Sequence, residues 1–115
     1  MFKTIKKSDE ISELFKVGKL VSFRHFSIFY VDSTESKIAF IAGKKLGNSV
    51  KRNYLKRKLR RVYIENQEWF AGKKAIIVAK YKLLAANDED VDRDFKRVTR
   101  RSFEESGKKD SNPGN

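Results

Sequence analysis

A segment of the chain, residues 36–64, contains ten Lys and Arg side chains and neither Asp nor Glu. The full chain of 115 residues has 27 basic and 15 acidic side chains, so ten units of its net charge of +12 lie in this segment. Like charges gathered on one stretch repel each other unless a partner neutralises them. The charge concentrated in this segment therefore predicts a polyanionic partner.

The second part of this segment has the pattern of a long helix over residues 48–66. Asn48 or Ser49 provides an N-cap, and neither Pro nor Gly interrupts the run. Four residues fall along one side of this helix and are expected to face the core: Leu55, Leu59, Val62 and Asn66.

The opposite side of the helix is basic. At about 100° per residue it carries two adjacent rows. The rows are Arg52, Lys56 and Arg60, and Asn53, Arg57 and Arg61. Stacked like charges weaken an isolated helix by about 0.2–0.5 kcal/mol per close pair, and no acid is interleaved to offset this. The absence of acids favours a phosphate backbone over a merely solvated face.

Two further cations, Lys44 and Lys45, precede a flexible Gly47 and the N-terminus of the helix. The free N–H groups at a helix N-terminus favour an anion. Together with Arg52 and Asn53, these cations form a contiguous surface for the phosphates of folded RNA, and Asn53 can donate or accept at sugar and base edges.

The remainder of the chain has the pattern of a small α+β domain. A first helix begins at an N-cap, Ser8, has two acids in its first turn and ends at Gly18. A last helix begins at the cap Asn87. Its apolar stripe consists of Val91, Phe95, Val98 and Ser102. The apolar run over 20–31 is broken at 22–25, which predicts a short strand, a kink and a second strand over 26–31. Further strands are predicted at 37–43 and 75–79.

The order is therefore helix, two or three strands, helix, strand, helix, which predicts one sheet with helices packed against it. We expect residues 1–104 to form a single domain and residues 105–115 a disordered polar tail. His25 is expected to be exposed at the start of a strand, and Trp69 and Phe70 to anchor a turn in the core.

Composition excludes several classes of protein. No run approaches the ~18 apolar residues that a bilayer crossing needs, and the first twelve residues lack the apolar stretch of a secretion signal. The chain has no Cys and a single His, which excludes disulfides and thiolate or histidine metal clusters and is compatible with a reducing cytoplasm. The acids of residues 88–94 favour a helix cap and a solvated face over a metal site.

Residues 44–61, KKLGNSVKRNYLKRKLRR, resemble the signature segment of the bacterial ribonuclease P protein subunit. The hallmark of that family is Arg-Asn-Arg after a lead-in of the type Lys-Lys-x-Gly-Asn-Ala-Val. Tyr54 stands at the second Arg of the hallmark, and we expect Arg57 or Lys58 to compensate. Further similarity at residues 14–18, 24–26 and 75–79 extends the resemblance to about residues 4–103.

The resemblance implies an αβββαβα fold with one central sheet and a left-handed crossover, similar to a domain of a ribosomal protein. It implies a cytoplasmic ribonucleoprotein that removes the 5′ leader of precursor tRNA by endonucleolytic cleavage. In this family the RNA subunit is the catalyst. Mg²⁺ is expected to be held mainly by the RNA subunit and the substrate, with neither a membrane nor an obligate protein partner involved.

The chain accordingly offers no catalytic or metal-ligating residue, because it has no pair of His, no clustered carboxylates at helix or strand spacing and no nucleophile beside a base. Eight residues are expected to bind the RNA subunit: Lys44, Lys45, Asn48, Arg52, Asn53, Lys56, Arg57 and Arg60.

The family also binds the single-stranded leader in a cleft between the first helix and the sheet. Carried over by resemblance, the leader-binding positions are Ile11, Phe15, Lys16 and Phe29. Aromatic side chains in such a cleft serve as stacking platforms for unpaired bases. Without the resemblance, the spacing of these apolar residues favours the hydrophobic core.

Two other functions are compatible with the residues alone. One is a ribosomal-type RNA-binding protein without a role in processing. The other is a nonspecific DNA-binding protein that places the basic helix in a major groove.

Overall fold

The structure is a computed structural model that describes residues 3–100, and it contains a five-stranded sheet and three α-helices. The strands are β1 (Lys3–Thr4), β2 (Lys19–Ser22), β3 (Phe26–Asp32), β4 (Lys37–Ile41) and β5 (Lys73–Ala79). The helices are α1 (Ser8–Val17), α2 (Ser49–Glu65) and α3 (Asp88–Thr99). Three 3₁₀ turns lie at Lys44–Leu46, Gln67–Phe70 and Tyr81–Leu84.

The sheet has the strand order β1-β4-β5-β3-β2. β4 is parallel to β1 and β5, whereas β3 is antiparallel to β2 and β5. α2 forms the crossover between the parallel neighbours β4 and β5. The α+β class with one central sheet is therefore confirmed, while the left-handed sense of the crossover stays a prediction.

One face of the sheet packs against α2 and α3 and forms the main core. Alternate residues of the strands point to this face, among them Phe26 and Ile28 on β3 and Ile77 on β5. They meet the apolar sides of the two helices, including Leu59 of α2 and Phe95 of α3, which are both fully buried. The predicted stripe of α2 therefore faces the sheet, and its basic side faces outward.

The other face of the sheet is covered only in part. Leu14 of α1 is buried against Ala39 and Ile76, in a second and smaller apolar cluster. Phe29, Ile41 and other strand residues of this face are only half-buried. Because a single helix of ten residues cannot cover five strands, an open apolar surface remains beside α1.

The helices α2 and α3 begin as the sequence predicts. The Asn48 side-chain Oδ1 accepts a hydrogen bond from the Lys51 backbone N–H at 3.0 Å, and Asn87 caps α3 in the same way through the N–H of Asp90. The expected cap at α1 is wrong, because Lys7 occupies the N-cap position and Ser8 is already helical, with no side-chain cap.

Replacing Asn48 with Ala is expected to lower the free energy of unfolding by about 1 kcal/mol, because the N–H of Lys51 loses its acceptor. Chemical denaturation of the two proteins measures this difference. Asn48→Asp is the matched control, since its carboxylate restores an acceptor at a helix N-terminus and is expected to retain the stability. Equal loss in both variants would contradict a capping role.

The prediction that His25 is exposed is also wrong. The ring is buried, with Nδ1 lying 3.2 Å from a carboxylate oxygen of Asp94, because α3 packs over the loop between β2 and β3. Phe70 is buried in the core as expected, and Trp69 packs against it while half-buried. Ser102 and the predicted tail over 105–115 lie outside the described residues. No helix within residues 3–100 is long and apolar enough to span a membrane.

Candidate RNA-binding surfaces

The eight residues predicted to contact RNA lie on one continuous part of the molecule, here called the basic surface. Lys44 and Lys45 are exposed on the 3₁₀ turn that precedes α2, and Asn48 is the cap between them and the helix. The other five members are on α2: Arg52, Asn53, Lys56, Arg57 and Arg60. Each of the eight is exposed or half-buried, so sequence and structure agree on its accessibility.

The cations of the basic surface are not neutralised within residues 3–100. Lys44, Lys45, Lys56 and Arg57 form no ion pair with any carboxylate in this part of the chain. Other cations at the borders are paired, since Arg61 binds Asp88 and Lys37 lies 3.7 Å from Glu10. The positive charge of the basic surface is therefore available to a polyanion.

Arg52 is the most constrained cation of this surface. It is half-buried, and its Nε is buried without a hydrogen-bond partner among residues 3–100. A buried donor without an acceptor costs free energy. An incoming phosphate oxygen would supply acceptors for this guanidinium. Arg60 lies at the other end of the same row, with Cζ 5.8 Å from the centroid of the Phe40 ring.

Lys58 does not belong to the basic surface, so that Arg57 is left as the candidate to compensate for Tyr54. Its side chain is buried, and Nζ donates to the backbone carbonyl of Leu83 at 3.2 Å and to that of Ala86. Lys58 thereby ties α2 to the 3₁₀ turn before α3. Arg57, the other candidate, is exposed.

One exposed cation, Lys51 in the first turn of α2, is absent from the predicted set. It forms no ion pair within the described part of the chain. Its place in the acid-free segment, beside Arg52, is the signal that could have identified it. Asn48, in contrast, uses its Oδ1 for the cap, which leaves the side-chain NH2 group as its donor for an RNA contact.

The second predicted surface lies where α1 leaves the sheet uncovered, and it is called the α1 cleft, defined by Ile11, Phe15 and Phe29. Phe15 is 40% exposed, and its ring meets that of Phe29 edge-on, with the centroids 4.7 Å apart. Ile11 and Phe29 are half-buried, and Lys16 is exposed next to Phe15. The structure thus brings Ile11, Phe15 and Phe29 to one surface and leaves the Phe15 ring accessible, whereas Lys16 is exposed about 100° further around α1.

A different face of α1 is acidic. Glu10 lies 3.0 Å from the ammonium group of Lys74, and this hydrogen bond holds the pKa of the Glu10 carboxyl below its usual range. Glu10, Asp9 and Glu13 line a cavity of about 440 Å³ together with Leu14 and other residues. The carboxylates repel a polyanion, which leaves the side of Phe15 as the one suited to nucleic acid.

Within residues 3–100, no group of three or more His, Asp or Glu side chains is arranged to hold a metal ion. Acids of α3 are instead engaged with cations: Asp88 with Arg61, Asp90 with Arg93, Asp92 with Lys96, and Asp94 with Arg97.

The cationic face of α2 and the accessible aromatic ring beside α1 together indicate the class of RNA-binding proteins. Residues 2–102 match the family described as Ribonuclease P. The chain belongs to this family, as a protein component of an endoribonuclease that supports 5′ processing of precursor tRNA and has the ribonuclease P RNA as its partner. This membership decides against the ribosomal and DNA-binding alternatives.

Relatives support the assignment. The chain is 31% identical over 98 residues to the ribonuclease P protein component of Nitratiruptor sp., covering 85% of this chain and 90% of that protein. The ribonuclease P protein of Thermotoga maritima has the same fold, with a TM-score of 0.75 at 18% identity over 86% of this chain and 96% of that one. The Staphylococcus aureus protein gives a TM-score of 0.73 at 22% identity, over 89% and 96%.

Proposed function

We propose that this protein binds the ribonuclease P RNA through the basic surface and the single-stranded 5′ leader of precursor tRNA in the α1 cleft, while the RNA catalyses the cleavage. The observation that carries the proposal is the set of cations on α2 that lack carboxylate partners within residues 3–100. A phosphate backbone provides the missing negative charge, and released counterions contribute to the affinity.

The described residues support a role in binding rather than in catalysis. His25 is buried against Asp94 and has no access to a bound substrate. Four of the five acids of α3 pair with neighbouring cations. We therefore assign Mg²⁺ mainly to the RNA subunit and the substrate, and no step of the reaction to a side chain of this protein.

The α1 cleft suits the leader because the leader is single-stranded. Unpaired bases can stack on an aromatic side chain, and the exposed ring of Phe15 provides such a platform. We assign the exposed Lys16, the next residue along α1, to a leader phosphate. The basic surface and the α1 cleft lie on opposite faces of the sheet, so RNA subunit and leader do not compete for one site. We assign this activity to the cytoplasm, without an obligate protein partner.

The purified protein is expected not to cleave precursor tRNA by itself, and to speed cleavage when it is added to the cognate RNA subunit at low Mg²⁺. The reason is that its cations replace part of the ionic screening that the RNA otherwise requires. Cleavage rates with protein alone, RNA alone and both together, over a series of Mg²⁺ concentrations, measure this. Mg²⁺-dependent cleavage by RNA-free protein that persists through further purification would contradict it.

A further inference from the structure

Tyr54 is an aromatic residue on the cationic side of α2, and the proposed function assigns it no role. Its side chain is 45% exposed, which is high for a ring of this size. Its neighbours at helical spacing are Val50, one turn before it and 75% exposed, and Arg57, one turn after it and also exposed. Tyr54 is therefore part of the outer surface of the helix and not of the core.

The ring of Tyr54 is supported from within the protein. Nζ of Lys58 lies 5.3 Å from the centroid of the ring, in the geometry of a cation–π contact. That ammonium group is itself fixed by the carbonyls of Leu83 and Ala86. Nearly half of the surface of this residue remains exposed beside the buried cation. Tyr54 is thus a preorganised, accessible aromatic platform.

Cations surround this platform. A hollow of about 140 Å³ lies beside the ring and is lined by Tyr54, Arg57, Lys58, Arg61 and Asp88. Asp88 is engaged with Arg61, whereas Arg57 has no carboxylate partner within the described residues. An occupant of this hollow therefore combines a flat apolar surface with negative charge, and a nucleotide combines both.

We propose that Tyr54 stacks on an unpaired nucleobase of the ribonuclease P RNA, and that Arg57 binds a phosphate next to that base. This inference rests on the proposed role of the basic surface and adds a base contact to its phosphate contacts. Stacking on Tyr54 needs a base that is unpaired and unstacked in the RNA, whereas phosphate contacts do not depend on base pairing. Because any base can stack on a ring, Tyr54 is expected to select an RNA structure with an unpaired base at this place and not a particular base.

The test compares Tyr54→Leu with Tyr54→Phe in binding to the cognate RNA subunit over a series of salt concentrations. Leucine removes the ring and is expected to weaken binding by roughly 5- to 150-fold, the range found when a stacking platform is removed. Phenylalanine keeps the ring and its cation–π interaction with Lys58, so its affinity is expected to stay within about twofold. The slope of log K against log salt is expected to be unchanged in both variants, because no charge is removed.

A third variant covers the case in which Tyr54→Leu does not fold. Tyr54→Trp is expected to bind like the wild type, and the fluorescence of the added indole is expected to fall on binding, after subtraction of the Trp69 signal from the wild-type protein. Stacking is overturned if Tyr54→Leu binds normally, if Tyr54→Phe is as weak as Tyr54→Leu, or if the added indole does not respond. The proposed function fails by a different result, namely full RNA affinity in Arg52→Ala/Arg57→Ala.

Discussion

Arg52→Ala/Arg57→Ala is expected to bind the ribonuclease P RNA about 100-fold more weakly than the wild-type protein, since each charge-assisted hydrogen bond that is removed is worth about 1.5 kcal/mol. Both side chains lie on the outer side of α2, and neither has a carboxylate partner within residues 3–100. The slope of log K against log salt is expected to fall by about two units, one for each phosphate that is no longer neutralised. Affinity measured at several salt concentrations tests both numbers.

A matched control for this variant is Arg93→Ala/Arg97→Ala on α3. It removes the same charge, but these two arginines are exposed beside Asp90 and Asp94 and lie away from the basic surface. Its RNA affinity is expected to change by much less than that of the double variant on α2. If both variants lose affinity equally, net charge and not the basic surface controls binding. If the α2 variant keeps its affinity and slope with a normal thermal melt, α2 faces solvent in the complex.

The sequence is sufficient for the elements whose local signals agree. α2 has a cap, an unbroken run and an apolar stripe, and the helix occurs where these predict it, from Ser49 to Glu65. The continuous apolar run at 75–79 indicates a strand, and the structure extends this strand back to Lys73. α2 buries one side and forms its hydrogen bonds within the helix. The strand at 73–79 pairs with β3 and β4 and buries consecutive residues on both faces, as its continuous apolar run indicates.

Other features depend on contacts distant in sequence. β1 has only two residues and exists because Lys3 and Thr4 pair with β4, more than thirty residues away, so no local pattern indicates it. His25 lies in a loop that looks polar, and it is buried only because α3 packs over it. The pairing of β1 and the burial of His25 both depend on residues distant in sequence, so the spacing of residues within one segment cannot predict them.

The exposure of the basic surface can be predicted from the sequence because closely spaced charged side chains have to face solvent or a partner. Lys58 shows the limit of that rule. It lies three residues after Leu55 and next to Leu59, on the core side of α2, and its long side chain reaches the carbonyls of the turn before α3. The position of Lys58 relative to the apolar stripe predicts that it is buried, whereas its charge alone suggests that it belongs to the RNA-binding cations.

For Phe15 in the α1 cleft, the sequence leaves two predictions open, a core residue or a leader-binding residue, and they differ in the expected effect of truncation. A core phenylalanine truncated to Ala costs about 3–5 kcal/mol of stability. Phe15 is 40% exposed and contacts Phe29 edge-on, so Phe15→Ala is expected to cost much less. With a small cost in stability, a role of Phe15 in binding the leader is expected to show as a selective effect of the substitution on substrate.

With the assembled RNA and protein, Phe15→Ala is expected to bind precursor tRNA with a leader roughly 5- to 150-fold more weakly, because a base loses its stacking platform. Affinity for mature tRNA, which has no leader bases, and assembly with the RNA subunit are expected to stay nearly unchanged. Val17→Ala is the matched control, since it truncates an exposed apolar side chain about 200° around the same helix. A large fall in melting temperature with equal losses for both tRNAs would instead assign Phe15 to the core, because a ring that only supports the fold cannot distinguish a leader from its absence.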